Sequence, residues 1–268
     1  MLAYGESMTT STHPSVAQVT DAPPQVNAQV LGDTGLQSQV LESNANAKRY
    51  HAWLCSMAQP YLGDDPLEIG SGMGDYAQTW LDGGLGRITL TEVDPGRRAV
   101  LQQKFRDDPR VRFATVDLDG TAPGDYSSVV SFNVMEHVPD DVAAFTAAFH
   151  LLRPGGHLVT LAPAFPALMS EFDRSIGHVR RYTRENIAAK YRGAGFDVVD
   201  CRYVNAPGMF AWFAGMRVLR MTPGDGPILR VWDAAVVPVA RCIESRLRMP
   251  FGQSVLAVGR KPLGERIG

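Results

Sequence analysis

The stretch PLEIGSGMGD, Pro66 to Asp75, sets glycines at 70, 72 and 74 directly behind a short apolar run. It is followed by YAQTWLDG, residues 76–83, whose apolar positions recur at helical spacing. Strand, bare loop and helix in that order form the unit from which parallel sheets are wound, with ligands held at the loop. The same rhythm runs downstream. ITLTE, RVRFATVD, SSVVSFN and HLVTLAPA read as strands, separated by the helical patterns GRRAVLQQKF and VAAFTAAFHLL and the turn RPGG. Alternation at this pace predicts an α/β fold with a doubly wound sheet.

Upstream, residues 1–36 are rich in Ser, Thr, Pro, Ala, Gln and Gly without sustained periodicity, and read as a disordered tail. Residues 37–268 then form a single domain. Tyr50, Trp53, Leu54 and Met57 share one stripe of a helix that feeds the core. Beyond HLVTLAPA come an irregular segment (165–183), a helix (184–195) and a strand (196–204). A helical insertion at about 205–250 precedes the last strand, SVLAVGRK. In it Leu229, Trp232, Val236, Val239, Ile243 and Leu247 mark one long amphipathic helix, kinked by Pro238.

Charge and composition exclude several classes. Lys and Arg number 26 against 28 Asp and Glu, a net charge of −2 that gives no electrostatic reason for nucleic-acid binding. Cys55, Cys201 and Cys242 lie far apart, which fits neither a disulfide framework nor a zinc knuckle. No leader pattern opens the chain, and APGMFAWFAGM, 206–216, is too short to span a bilayer. A cytoplasmic protein, monomer or homodimer, acting on a small molecule is expected. No metal-ligand spacing stands out among His13, His51, His137, His150, His157 and His178, so no metal is expected.

The glycine spacing distinguishes two clients. A dinucleotide loop reads GxGxxG, but here the sixth position is Asp75, which would repel a pyrophosphate. A cofactor with an amino-acid end and a cationic sulfonium tolerates carboxylates such as Glu68 and needs bare backbone beneath it. S-adenosylmethionine fits that description. Glu92, at the end of ITLTE, is placed to take ribose hydroxyls. Asp117 is placed to accept from an adenine amino group, with Leu118 against the ring.

Together LEIGSGMGD, TEVD, ATVDLD and SFNVMEHVPDD…LLRPGGHLVTLAP resemble the successive motifs of class I S-adenosylmethionine-dependent methyltransferases. NAKRYHAW, GHVRRYT and MPFGQSVLAVGRK are similar to a subgroup acting on small molecules. The resemblance implies a Rossmann-like, seven-stranded sheet in the order 3-2-1-4-5-7-6 with the last strand antiparallel and a helical cap insertion. It also implies that Glu68, Gly70, Gly72, Gly74, Glu92, Asp117, Leu118 and Asn133 line the S-adenosylmethionine site.

Methyl transfer from a sulfonium needs alignment and, where the acceptor carries a proton, a means of removing it. Glu136 and His137 follow the fourth strand, where open α/β sheets bind ligands. His137 reads either as a general base or as scaffold at a helix start. His178 reads as a base or acceptor-orienting group, and Arg181 and Tyr182 as binders of an acidic group on the acceptor or as partners of Glu171 and Asp173. Tyr50, Trp53, Met209 and Trp212 are candidates for an apolar acceptor wall. The acceptor is expected to be a small aromatic or amphipathic metabolite methylated at O, N or C, an indole ring in natural-product tailoring being one example. The alternatives are a lipid-like polyprenyl or quinone acceptor at a membrane surface, a cofactor-binding interaction module, and a dehydrogenase.

Overall fold

The computed structural model describes residues 31–120, 122–212 and 227–264. Most of the expected tail lies outside these, but α1 (Thr34–Asn46) begins within its last residues, and α2 (Lys48–Ala58) follows. The winding then runs β1 (Pro66–Ile69), α3 (Asp75–Asp82), β2 (Ile88–Leu90), α4 (Pro95–Lys104), β3 (Val111–Phe113), β4 (Tyr126–Phe132), α5 (Asp141–Leu151) and β5 (Leu152–Pro163). After it come α6 (Glu171–Ser175), α7 (Arg184–Gly193), β6 (Asp197–Val204), α8 (Ala206–Trp212), α9 (Pro227–Val231), α10 (Val237–Glu244) and β7 (Ser254–Arg260). The sheet order is β3-β2-β1-β4-β5-β7-β6, with β7 antiparallel to both neighbours, as the motifs imply. The residues read as an RPGG turn form the first part of β5.

Alternate strand residues feed two separate cores because side chains leave a strand on opposite faces. Val130, Phe132, Val159, Leu161, Leu256 and Val258 pack on one face with Leu54, Trp80, Leu101 and Phe105 of the surrounding helices. Val129, Leu158, Val255 and Ala257 pack on the other, under Phe145 of α5 and Ile187 and Tyr191 of α7. A sheet covered on both faces leaves its strand ends as the place for a ligand. At the C-terminal ends of β4, β5 and β6 stand Asn133, Phe165 and Asn205, the non-glycine residues with positive φ among those described (55°, 60° and 58°). Unfavourable backbone concentrated on one sheet edge marks that edge as the functional one.

The insertion corrects one expectation. Instead of one long helix kinked at Pro238, Trp232–Val236 forms a π-helical turn between α9 and α10. The extra residue in that turn rotates the following face by about one position. Val237 and Ala240 are therefore buried, while Val239, Ile243 and Leu247 are 58%, 44% and 61% exposed. Pro238 cannot donate to the carbonyl of Ala234, which instead accepts from Arg49 Nη1 at 2.9 Å.

Two carboxylates fasten the insertion to the domain. Asp233 accepts from the backbone N–H groups of Arg49 (3.0 Å) and Tyr50 (2.8 Å), capping α2, whose own N-cap residue Ala47 has no side chain able to do so. Glu244 accepts from Asn205 N (2.9 Å) and Ala206 N (2.8 Å) at the start of α8. Each satisfies helix donors that would otherwise lack partners.

Candidate functional site

The loop after β1 turns through Gly70, Gly72 and Gly74, all at positive φ. Two of these glycines also lie tight against the protein itself. A Cβ on Gly74 would lie 2.4 Å from the Phe105 ring, and one on Gly70 would lie 2.6 Å from Val134. Gly72 has a different environment. Its N–H donates to Glu92 Oε2 at 2.9 Å, and its Cα side faces Leu41 of α1. Asp75 pairs with Lys104 at 2.8 Å.

Glu92, 7% exposed, stands two residues beyond β2, whose last residue is Leu90, and so follows the strand instead of holding its last position. Its Oε1 accepts from Asp94 N (2.8 Å) and Arg97 Nη2 (3.4 Å), so the carboxylate is held in one orientation. Glu68 is 2% exposed, and its Oε2 has no hydrogen-bond partner. Burial pushes its carboxyl up to about 7. A buried carboxylate oxygen left without a donor beside a glycine turn suits the ammonium of an amino-acid ligand. Asp117 is exposed, with Oδ1 accepting from Asp119 N at 3.0 Å, and Leu118 packs half-buried against the core under α5 and α7. Asn133 is exposed at the end of β4.

Helix α1 spans this loop and the segment after β5. Gln37 accepts from Arg97 Nη1 at 3.2 Å and donates to Ile176 O at 2.7 Å, while Asp33 N donates to Ser175 O at 2.9 Å. The sequence gave no sign of this role for Gln37 and Leu41, because their partners lie far along the chain.

On the acceptor side a single helical turn, Met135–His137, follows β4 and turns Glu136 inward, fully buried, beside His137. The loop after α6 brings His178 against them, and Val179 N donates to Glu136 O at 2.8 Å. His178 Nε2 lies 3.8 Å from Glu136 Oε1, and the His137 and His178 rings meet edge-on at 4.6 Å. His178 Nδ1 contacts Asp173 Oδ1 at 3.0 Å. Asp173 also accepts from Arg181 Nη2 (2.7 Å) and Ser170 Oγ (2.6 Å). Burial opposes its ionisation, but these donors outweigh it and hold the carboxyl well below the usual range. Burial lifts Glu136 to about 7, the charges of His178 and Arg181 countering it in part. Burial, then His178, pushes His137 down to about 4, so its ring is neutral. Asp173 closes a capping box with Ser170, a signal legible in SEFD but not read as part of a site.

Other candidates are placed differently. Arg181 is buried and also donates to Ala164 O at 3.1 Å, which makes it a brace for the loop rather than an acceptor ligand. Tyr182 is 1% exposed, its hydroxyl bonded to Asp141 Oδ2 (2.7 Å) and Met135 O (3.1 Å), and so lies in the scaffold. Trp53 is a core residue, 5% exposed. Tyr50 is half-buried, and its hydroxyl faces Asn205 and Ser254 near the C-terminal end of β6. Met209 is half-buried on α8; the Trp212 side chain lies outside what is described.

Residues 67–158 match the family described as a methyltransferase domain. This match, together with the sheet order, supports the reading of the chain as a class I S-adenosylmethionine-dependent methyltransferase. Its methyltransferase segment is 30% identical over 104 residues to a ubiquinone biosynthesis O-methyltransferase of Xylella fastidiosa, covering 37% of this chain and 42% of that protein. It is 34% identical over 142 residues to the reducing polyketide synthase Preu2 of Preussia isomera, covering 48% of this chain and 6% of that protein. The chain thus spans less than half the length of these relatives. A crystal structure of an S-adenosylmethionine-dependent methyltransferase from Mesorhizobium loti shares the fold, with a TM-score of 0.53 at 16% identity over 78% of this chain and 96% of that one. Among the described residues no helix of the domain is long and apolar enough to cross a membrane.

Proposed function

We propose that the protein transfers a methyl group from S-adenosylmethionine to a small aromatic or amphipathic acceptor bound beside Glu136, His137 and His178. The observation that carries this reading is the pair of buried carboxylates flanking the glycine turn, Glu68 with an unpartnered oxygen and Glu92 fixed by Gly72 N–H. Glu68 would take the ammonium, Glu92 the ribose hydroxyls, and Asp117 and Leu118 the adenine. When bound, S-adenosylmethionine supplies an electrophilic methyl, whose bond to sulfur breaks as its bond to the acceptor forms. The chain's own work is to orient the acceptor and promote loss of its proton, and the buried Glu136–His137–His178 cluster is the group suited to the second task.

Calorimetric titration with S-adenosylhomocysteine and with NADH tests the cofactor. The product is expected to bind and NADH is not. Glu92→Ala should weaken product binding roughly 10- to 100-fold, the worth of about 1.5–3 kcal/mol for a charged hydrogen bond. Preference for NADH, or no change in Glu92→Ala, refutes the reading.

A second reading, a lipid-like acceptor taken at an anionic membrane surface, draws on the insertion. Val231, Val239, Ile243 and Leu247 are exposed at four-residue spacing, Arg230, Arg241, Arg246 and Arg248 surround them, and the acids Asp233 and Glu244 turn inward as caps. Sedimentation with anionic vesicles, abolished by high salt, would favour it; protein left wholly in the supernatant would remove it.

A further inference from the structure

We propose that Glu136, His137 and His178 together bind one first-row divalent cation of the zinc class. This rests on the methyltransferase reading and specifies how the acceptor is activated.

The three residues offer ligand atoms lying within 4.8 Å of one another. Glu136 Oε1 and His178 Nε2 are 3.8 Å apart, too long for a hydrogen bond. Two ligands each about 2.1 Å from one zinc ion, at a tetrahedral or wider angle, stand roughly 3.4–4.2 Å apart. The separation therefore suits a shared ion, and the set as a whole, spread over as much as 4.8 Å, needs side-chain rotation to close on it. Neither oxygen of Glu136 has a hydrogen bond, although the side chain is fully buried. Orphaned acceptors at that depth need a positive partner.

The surroundings orient both imidazoles as ligands. Asp173, held by Arg181 and Ser170, accepts from His178 Nδ1 and so leaves the lone pair on Nε2, the nitrogen aimed at Glu136. Carboxylate behind histidine behind metal is the usual arrangement of such sites. His137 has the backbone of Gly177 as hydrogen-bond partner for its ring, which orients the imidazole. Two imidazoles and one carboxylate select zinc and its first-row neighbours over magnesium or calcium, which prefer oxygen. Three protein ligands leave a further position. An acceptor hydroxyl bound there loses its proton to solvent at a lower pH than it would free, and the resulting oxyanion attacks the methyl carbon as the carbon–sulfur bond breaks.

The competing arrangement is a protonated His178 paired with Glu136 and no metal. Untagged full-length protein, stripped with chelator, would be titrated with Zn²⁺ by calorimetry and with Co²⁺ by visible absorption. One ion per chain is expected, with tetrahedral or five-coordinate cobalt bands. Glu136→Gln and His178→Ala should each lower affinity at least about 100-fold, and Asp173→Asn about 10- to 100-fold. S-adenosylhomocysteine binding is measured in every sample. If wild type binds the product but takes up no stoichiometric ion, or if Glu136→Gln binds the ion as wild type does, the metal site is overturned while the methyltransferase reading stands. Loss of product binding in wild type would overturn that reading instead. Should His178→Ala fail to fold, Glu136→Gln decides.

Discussion

Replacing Glu68 by Gln should make the protein more stable and a poorer binder of its cofactor, and the two effects should differ in their dependence on pH. Burial raises the Glu68 carboxyl from 4.5 to about 7. At 1.36 kcal/mol per pH unit, that rise corresponds to roughly 3 kcal/mol. Because the folded state holds the proton more tightly, it binds more protons than the unfolded chain between pH 4.5 and 7. Stability contributed by this group is complete below pH 4.5 and is lost as pH rises to about 7. Glu68→Gln removes the ionisation. It should raise stability by up to ~3 kcal/mol above pH 8 and by little at pH 4.5, read as urea midpoints at the two pH values. An ammonium docking on Glu68 favours its charged form, so wild type should release about half a proton on binding S-adenosylhomocysteine near pH 7. Calorimetry in buffers of different ionisation enthalpy measures that release. Glu136, lifted to a similar value, titrates in both proteins, so the difference between them isolates Glu68. Equal stability of variant and wild type at pH 8 together with unchanged proton release would refute the assignment.

Two further outcomes follow from the structure. Asp173→Ala leaves the buried Arg181 guanidinium without its carboxylate and should cost about 3–5 kcal/mol, seen in chemical denaturation; a loss under 1 kcal/mol would mean the loop repacks around it. Asp233→Ala uncaps α2 across the molecule and should cost ~1 kcal/mol, with faster amide exchange at Arg49 and Tyr50; unchanged exchange there would discount the cap.

Much of the architecture was legible because it is written in local periodicity. Alternating strand and helix patterns from Pro66 to Pro163 determine the winding, and the spacing from the glycines to Glu92 places a carboxylate just past β2. Contacts between distant segments were not legible. GHVRRYT advertised its charges, yet only folding revealed that Arg181 and Tyr182 are consumed by Asp173, Ala164, Asp141 and Met135 while the His178 ring stands beside the Glu136 carboxylate. No spacing of histidines announces a cluster whose members come from two loops, so the expectation of no metal rested on a pattern that sequence cannot contain.

The insertion divides the two kinds of information most clearly. Sequence by itself determined that residues 229–247 are apolar at every third or fourth position, and helix follows as far as Glu244, because periodicity is local. Which side of that helix enters the core was decided by tertiary structure. A single π turn before Pro238, supported by Arg49 and anchored through Asp233, shifts the buried face to Val237 and Ala240 and leaves Val239, Ile243 and Leu247 outside. Likewise the glycines of PLEIGSGMGD specified a tight turn, but what each one approaches, Val134, Leu41 or Phe105, is set by elements brought there from elsewhere in the chain.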